Sequence, residues 1–392
     1  MSLDETLENS ARTTVDILTT PASERARKRI LRSDSEVVIV GDHDSYEGGK
    51  GLSPAYTEHL ASAIQRWQID NGNRSGNVTT HTLPKERPML PGSIPQELSD
   101  NIRRADIVIG TYGSPGAETE NAERDEFFRG YVVPMRDRLL LKKSPIYTDS
   151  GLYVVAARPV ESVLEAMADT KMVRKARRLG LAVKKYLDEH RGETMRVYSE
   201  GDIPLILQIP KVYDIEADAF AVSDAYAINI PSGEVCFAPA LRPTTGEVVM
   251  GPGSYHDLTT EVEGKIRFKF RRGKIVEWAN EGGKDEAVER YIREDFAKSD
   301  ANRYIAEMAI GVVEEVFDIP IEDRLYNKTI LEKGLGWHFA WGNAQHVGGR
   351  HDAPSHVDNC FRYGRIEVGD DVLLIDGKPN EELLKDYMPE DT

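Results

Sequence analysis

Short apolar runs separated by turn residues give the chain its first outline. Residues 36–40 (EVVIV) form a β-branched run that stops at Gly41-Asp42, which reads as a buried parallel strand. Residues 56–67 read as a helix, and residues 107–109 as a second buried strand left through Gly110-Thr111. Strand, helix and strand in that order predict an α/β first half. Neither strand leads into a glycine-rich phosphate-binding pattern, so no nucleotide site is expected there. Asp42, Thr111, Tyr147, Asp149 and Arg158 fall at the ends of predicted elements; they are candidates for walling a pocket, although capping or surface roles are the ordinary ones there. Across residues 158–191 the apolar positions Met172, Ala176, Leu179, Val183 and Tyr186 step by 4, 3, 4 and 3, one face of a long helix that ends at Gly192.

The pattern changes after that glycine. Residues 195–197, 205–209, 235–237, 248–250, 265–270, 274–278 and 371–375 read as strands. Turns are expected at Arg272-Gly273, Thr245-Gly246 and Asp376-Gly377. Residues 265–270 alternate charged and apolar, so one face of that strand is expected in water. Helices are expected through residues 286–296 and 301–316. The expected organisation is an α/β N-terminal domain over residues 1–192, then an α+β, β-rich domain over residues 193–392.

Composition narrows the function classes. The chain has 392 residues, 40% hydrophobic and 30% charged, with a formal net charge of −16. That acidity argues against a nucleic-acid surface, which needs clustered Lys and Arg. The two cysteines, Cys236 and Cys360, are too few for a disulfide framework or a cysteine-type zinc site. The N-terminal stretch MSLDETLENSARTTVDI is polar and acidic, unlike a signal peptide, and no apolar run is long enough for a membrane span. A cytoplasmic protein without a membrane or nucleic-acid partner is expected.

Histidine placement carries the candidate chemistry. Of the nine histidines, His338, His346, His351 and His356 all fall in WHFAWGNAQHVGGRHDAPSHVDN. In His356-Val357-Asp358 an imidazole and a carboxylate are two residues apart, so on a strand they share a face and can share one ion. His338 is a third candidate ligand from a neighbouring strand. Imidazole and carboxylate together suit Zn, Fe, Mn or Co. Gly342, Gly348 and Gly349 break the segment where backbone turns near such a site. Glu234 stands at the entry to a strand, and Glu307 stands among apolar neighbours in YIAEMAIG. Either carboxylate is at home in solvent or buried with a partner. Trp337, Phe339 and Trp341 flank His338 and suit either core packing or a pocket for an aromatic substrate.

The segments INIPSGEVCFAP, ANRYIAEMAIG, GWHFAWG and SHVDNCF, in this order, resemble the aminopeptidase T group of thermophilic metallo-exopeptidases and its relatives. The resemblance makes residues 193–392 a metal-binding catalytic domain. It implies five metal ligands: Glu234, Glu307, His338, His356 and Asp358. In the peptidases two divalent ions (Zn, Co or Mn) hold the substrate amine and polarise the scissile carbonyl while a water attacks. A carboxylate carries the proton to the leaving amine, which makes Glu307 a candidate catalytic residue. The peptidases have a Tyr seven residues after the first His, where this chain has Gln345. His346 beside it is the candidate donor in its place. The 2,5-dihydroxypyridine dioxygenases are similar in the same places. They imply one Fe(II) on His338, His356 and Asp358, and ring cleavage of a hydroxylated pyridine or similar aromatic. The resemblance also implies a small-molecule or short-peptide substrate and a homodimer or larger homo-oligomer.

Overall fold

The computed structural model describes residues 1–19, 31–41, 52–82, 96–111, 153–157, 161–212, 215–217, 227–230, 233–257, 260–314, 316, 319, 330–344 and 347–389. Asp42, Tyr147, Asp149, Arg158, Gln345 and His346 lie outside them. The chain is a mixed α/β structure in two compact units. One comprises Met1–Lys171, Phe220–Ser232 and Ile319–Asn327; the other comprises Met172–Ala219, Gly233–Asp318 and Lys328–Thr392.

The first unit is built on five parallel strands in the order Val78–Thr82, Val37–Gly41, Ile107–Thr111, Tyr153–Ala157 and Ala227–Ile230. Val37–Gly41 and Ile107–Thr111 are buried at every position. Their uninterrupted apolar sequences reflect this, because a central parallel strand has both faces covered. Helix Leu3–Thr19 is tied to helix Glu161–Ala168 by hydroxyls: Ser10 Oγ donates to the Leu164 carbonyl at 2.6 Å and Thr13 Oγ1 to that of Met167 at 2.9 Å. Thr111 meets Thr57 hydroxyl to hydroxyl at 2.5 Å. Among the described residues no helix is long and apolar enough to cross a membrane.

The second unit contains two antiparallel sheets, of eight and seven strands. In the larger sheet Lys265–Arg271 alternates as its sequence predicts, with Ile266, Phe268 and Phe270 buried between more exposed charges. These phenylalanines meet the smaller sheet edge to face: Phe270 lies 5.6 Å and Phe268 5.9 Å from the ring of Phe339. Trp337, Phe339 and Trp341 therefore belong to the packing core.

Three sequence expectations need correction. Residues 301–316 are not a helix: a short turn at Asp300–Arg303 leads into the strand Ile305–Gly311. This strand lies between two neighbours and is buried at all positions, so its apolar residues show no period of two. Ala, Glu and Met also favour helices intrinsically, and tertiary pairing overrides that preference. Thr245-Gly246 opens the strand Thr245–Met250; the preceding turn closes where Thr244 N–H donates to the Leu241 carbonyl. The long helix is broken at Asp169, whose Oδ1 accepts the Lys171 N–H at 2.8 Å, leaving helices Glu161–Ala168 and Thr170–Glu189. Its predicted face, Met172 to Tyr186 in steps of three and four, is buried.

The core also holds a histidine outside the predicted cluster. His256 lies edge-on to Tyr291, and its Nδ1–H donates to Asn359 Oδ1 at 2.8 Å. Burial pushes its pKa down to about 4, against the opposing effect of the hydrogen bond it donates to Asn359. As pH falls below about 6.5 the unfolded chain takes up a proton here that the folded chain refuses until about pH 4. Stability is therefore lost on acidification through that window, by at most ~3 kcal/mol. Urea titrations of metal-free protein at several pH values should show a flatter acid slope for His256→Gln. An unchanged slope would rule this residue out as a source of acid sensitivity.

Candidate metal centre

Four adjacent strands of the seven-stranded sheet bring the candidate ligands together: Glu234–Phe237, Ile305–Gly311, Gly336–Gly342 and His356–Phe361. Their register explains how. Glu307 is opposite Ala340, which is opposite Asp358; Ala309 is opposite His338; Gly311 is opposite Glu234; and Gly342 is opposite His356. Strand periodicity of two puts all of these on the face turned away from the aromatic core. The ligands alternate with Ala or Gly, which leaves room above the sheet for charged side chains to converge. Gly342 has φ +102, and a Cβ there would lie 2.0 Å from the Ser355 carbonyl oxygen, so only glycine keeps the His356 strand this close.

The convergence has two halves joined by one carboxylate. His338 Nε2 lies 3.5 Å from Glu234 Oε2 and 3.7 Å from Glu307 Oε1. His356 Nε2 lies 3.2 Å from Glu307 Oε2 and 3.2 Å from Asp358 Oδ1. Glu307 thus offers one oxygen to each histidine. His356 Nδ1 faces the Asn343 backbone carbonyl at 2.8 Å, and a carbonyl only accepts, so a proton sits there and Nε2 is the nitrogen turned toward the carboxylates. The halves differ in exposure. Glu234, Glu307 and His338 are buried, whereas the side chains of His356 and Asp358 are 22% and 14% exposed.

Lys333, which the sequence analysis did not single out, completes the charge pattern. It ends the short helix Ile330–Lys333, is fully buried, and bonds to Glu234 Oε1 and, at 3.1 Å, to Glu332 Oε2. In the sequence Glu332-Lys333 looks like an ordinary surface pair; only the fold reveals the acid waiting for it on another strand.

Protonation follows from crowding three carboxylates around two imidazoles. For His338, burial works against the charged form, but the Glu307 hydrogen bond and the charges of Glu234, Glu307 and Asp358 prevail and raise it to about 9. His356 is likewise driven well above the usual histidine range: burial opposes its charge, and Asp358 and Glu307 outweigh it. Burial pushes the Asp358 carboxyl up, but His356 beside it brings the net shift down. The crowding of carboxylates that favours charged imidazoles favours a cation at the same place.

The donor set suits a divalent metal on a second ground as well. Glu234 Oε2 is buried with no hydrogen-bond partner among the described residues. An orphaned carboxylate oxygen is costly unless a cation completes it. Among the described residues two groups have ligand atoms within 4.8 Å of one another: Glu307, His338 and Asp358, and Glu234, Cys236 and Glu307.

Residues 174–354 match the thermophilic metalloprotease family (M29). The chain resembles these enzymes over that span. The match contains Glu234, Glu307 and His338 and stops just short of His356. It supports a metallopeptidase, and with it a divalent metal. Among solved structures, wild-type AmpT from Thermus thermophilus superposes with a TM-score of 0.62 at 15% identity, over 96% of this chain and 100% of that one. The 2,5-dihydroxypyridine dioxygenase from Pseudomonas putida does so with a TM-score of 0.62 at 14% identity, over 97% of this chain and 98% of that one. These likenesses show a shared fold. No curated protein matches the chain.

The five residues singled out as ligands thus converge. Four other sequence candidates do not join them. Trp337, Phe339 and Trp341 alternate with the ligands and point to the opposite face, where Trp337 stacks on Phe361 and the other two pack against Phe268. His351 Nε2 is bonded to the Ala301 carbonyl at 2.7 Å.

Proposed function

We propose that the chain is a metal-dependent aminopeptidase that removes N-terminal residues from short peptides. The observation that carries this reading is Glu307, set between the two histidines with one oxygen toward each. A carboxylate in that position suits a bridge between two ions. Glu234 and His338 would hold one, His356 and Asp358 the other. Bound divalent ions would supply Lewis acidity and activate a water.

The side chains do the rest. The partial exposure of His356 and Asp358 makes that half the side from which a substrate enters. Glu307, buried and already shared, is placed to take a proton from the attacking water and pass it to the leaving amine. The Asn343 carbonyl keeps His356 turned toward the carboxylates. A single-iron, ring-cleaving reading needs only His338, His356 and Asp358, and it draws on neither buried glutamate. The aromatic residues that would have favoured it face the core.

Protein reconstituted with Zn, Co or Mn should hydrolyse amino-acid p-nitroanilides and short peptides without oxygen. No turnover with any of these ions, together with oxygen uptake on hydroxylated pyridines by the iron-loaded protein, would replace the hydrolase with the dioxygenase.

A further inference from the structure

The ligand face carries two thiols, Cys360 opposite His338 and Cys236 opposite Ala309, and of the two only Cys236 falls within ligand reach of the carboxylates. Cys236 follows Glu234 by two residues on the same strand, so both side chains project toward the centre. It pairs across the sheet with Ala309, whose methyl group is all that separates it from His338 in the next strand. The thiol is buried. Its sulfur and the ligand oxygens of Glu234 and Glu307 all lie within 4.8 Å of one another. Glu234 Oε2, orphaned and about nineteen-twentieths buried, belongs to that same group. A buried carboxylate oxygen that makes no hydrogen bond, with His338 Nε2 no nearer than 3.5 Å and a thiol beside it, is a good arrangement for a cation.

We propose that Cys236 is a metal ligand of the buried half of the centre. This rests on the metal-centre reading above and adds to it. Glu234, Cys236 and Glu307 then give two oxygens and one sulfur, and His338 Nε2, 3.5 Å from Glu234 Oε2 and 3.7 Å from Glu307 Oε1, stands beside them as a nitrogen donor. The other half keeps three, Glu307, His356 and Asp358, and with them an open position on the solvent-reachable side. The buried ion is the more tightly held of the two; the other, on the more exposed side, exchanges more readily. As the metal–sulfur bond forms, the thiol releases its proton to solvent and nothing changes oxidation state. Thiolate also biases the buried half toward Zn or Co over Mn or Mg.

The test is anaerobic titration of metal-free protein with cobalt(II), followed by absorption spectroscopy and by cobalt counting. Wild type should bind two cobalt ions per chain and develop a thiolate-to-cobalt charge-transfer band in the near ultraviolet. Cys236→Ser should lose the band and bind one of the two ions at least ~100-fold more weakly, with the metal-free thermal unfolding unchanged. Cys360→Ala should keep both the band and the second ion. The wild-type spectrum decides even if the serine variant misfolds. Two bound cobalt ions without the band, or a band that survives Cys236→Ser, would overturn the assignment of Cys236 and leave the metal centre standing. Wild type that binds no cobalt would overturn the centre itself.

Discussion

Glu307→Gln is expected to lower kcat/KM on peptide substrates by ~10²–10⁴-fold, the range for losing a positioned general base, while the protein stays folded. The substitution keeps the side chain's shape and its place opposite Ala340. It removes the charge that both histidines face, at 3.7 Å and 3.2 Å. It also turns one acceptor oxygen into an amide donor aimed at a ligand group. Glu307 serves both halves, so binding of both ions should weaken. A variant within about tenfold of wild type would show that the shared carboxylate is not where the chemistry depends on it.

The largest effect on stability is expected at Lys333. In metal-free protein Lys333→Met should cost about 3–5 kcal/mol, because breaking a buried ion pair from one side strands the other charge. Here two acids are stranded, since Lys333 serves both Glu234 and Glu332, and their side chains are 7% and 9% exposed. Burial already drives the Glu332 carboxyl upward, with Lys333 opposing it, so in the variant this acid should bind a proton and absorb part of the cost. Urea unfolding with and without added zinc is the measurement. The deficit should shrink with zinc, which supplies charge beside Glu234. A metal-free variant within about 1 kcal/mol of wild type would mean that solvent or protons balance these acids instead.

Lys333 also marks the limit of what the sequence discloses. Local pattern revealed elements whose burial shows in their own residues: EVVIV as a strand, the Met172-to-Tyr186 helical face, the alternation of residues 265–270. It also put His356 and Asp358 on one face, because the period of two acts within a single strand. Pattern failed at Ile305–Gly311, where burial on both sides erases periodicity and the composition favours a helix. It could not choose a face for Trp337, Phe339 and Trp341 until His338 was known to lie on a strand packed against Phe268 and Phe270. Glu234 and Glu307 were legible as ligands only through likeness to a family. What joins them to His338 is the register of three strands distant in sequence; Cys236 enters the site through that same register, and Lys333 from the short helix that precedes the His338 strand.

Elemental analysis of wild type and Glu307→Ala, both purified without chelator and without oxygen, tests the centre most directly. Two divalent ions per chain are expected in wild type, and a folded Glu307→Ala chain is expected to retain neither at full occupancy. Only trace metal in wild type, or an undiminished content in Glu307→Ala, would contradict a centre built around this carboxylate.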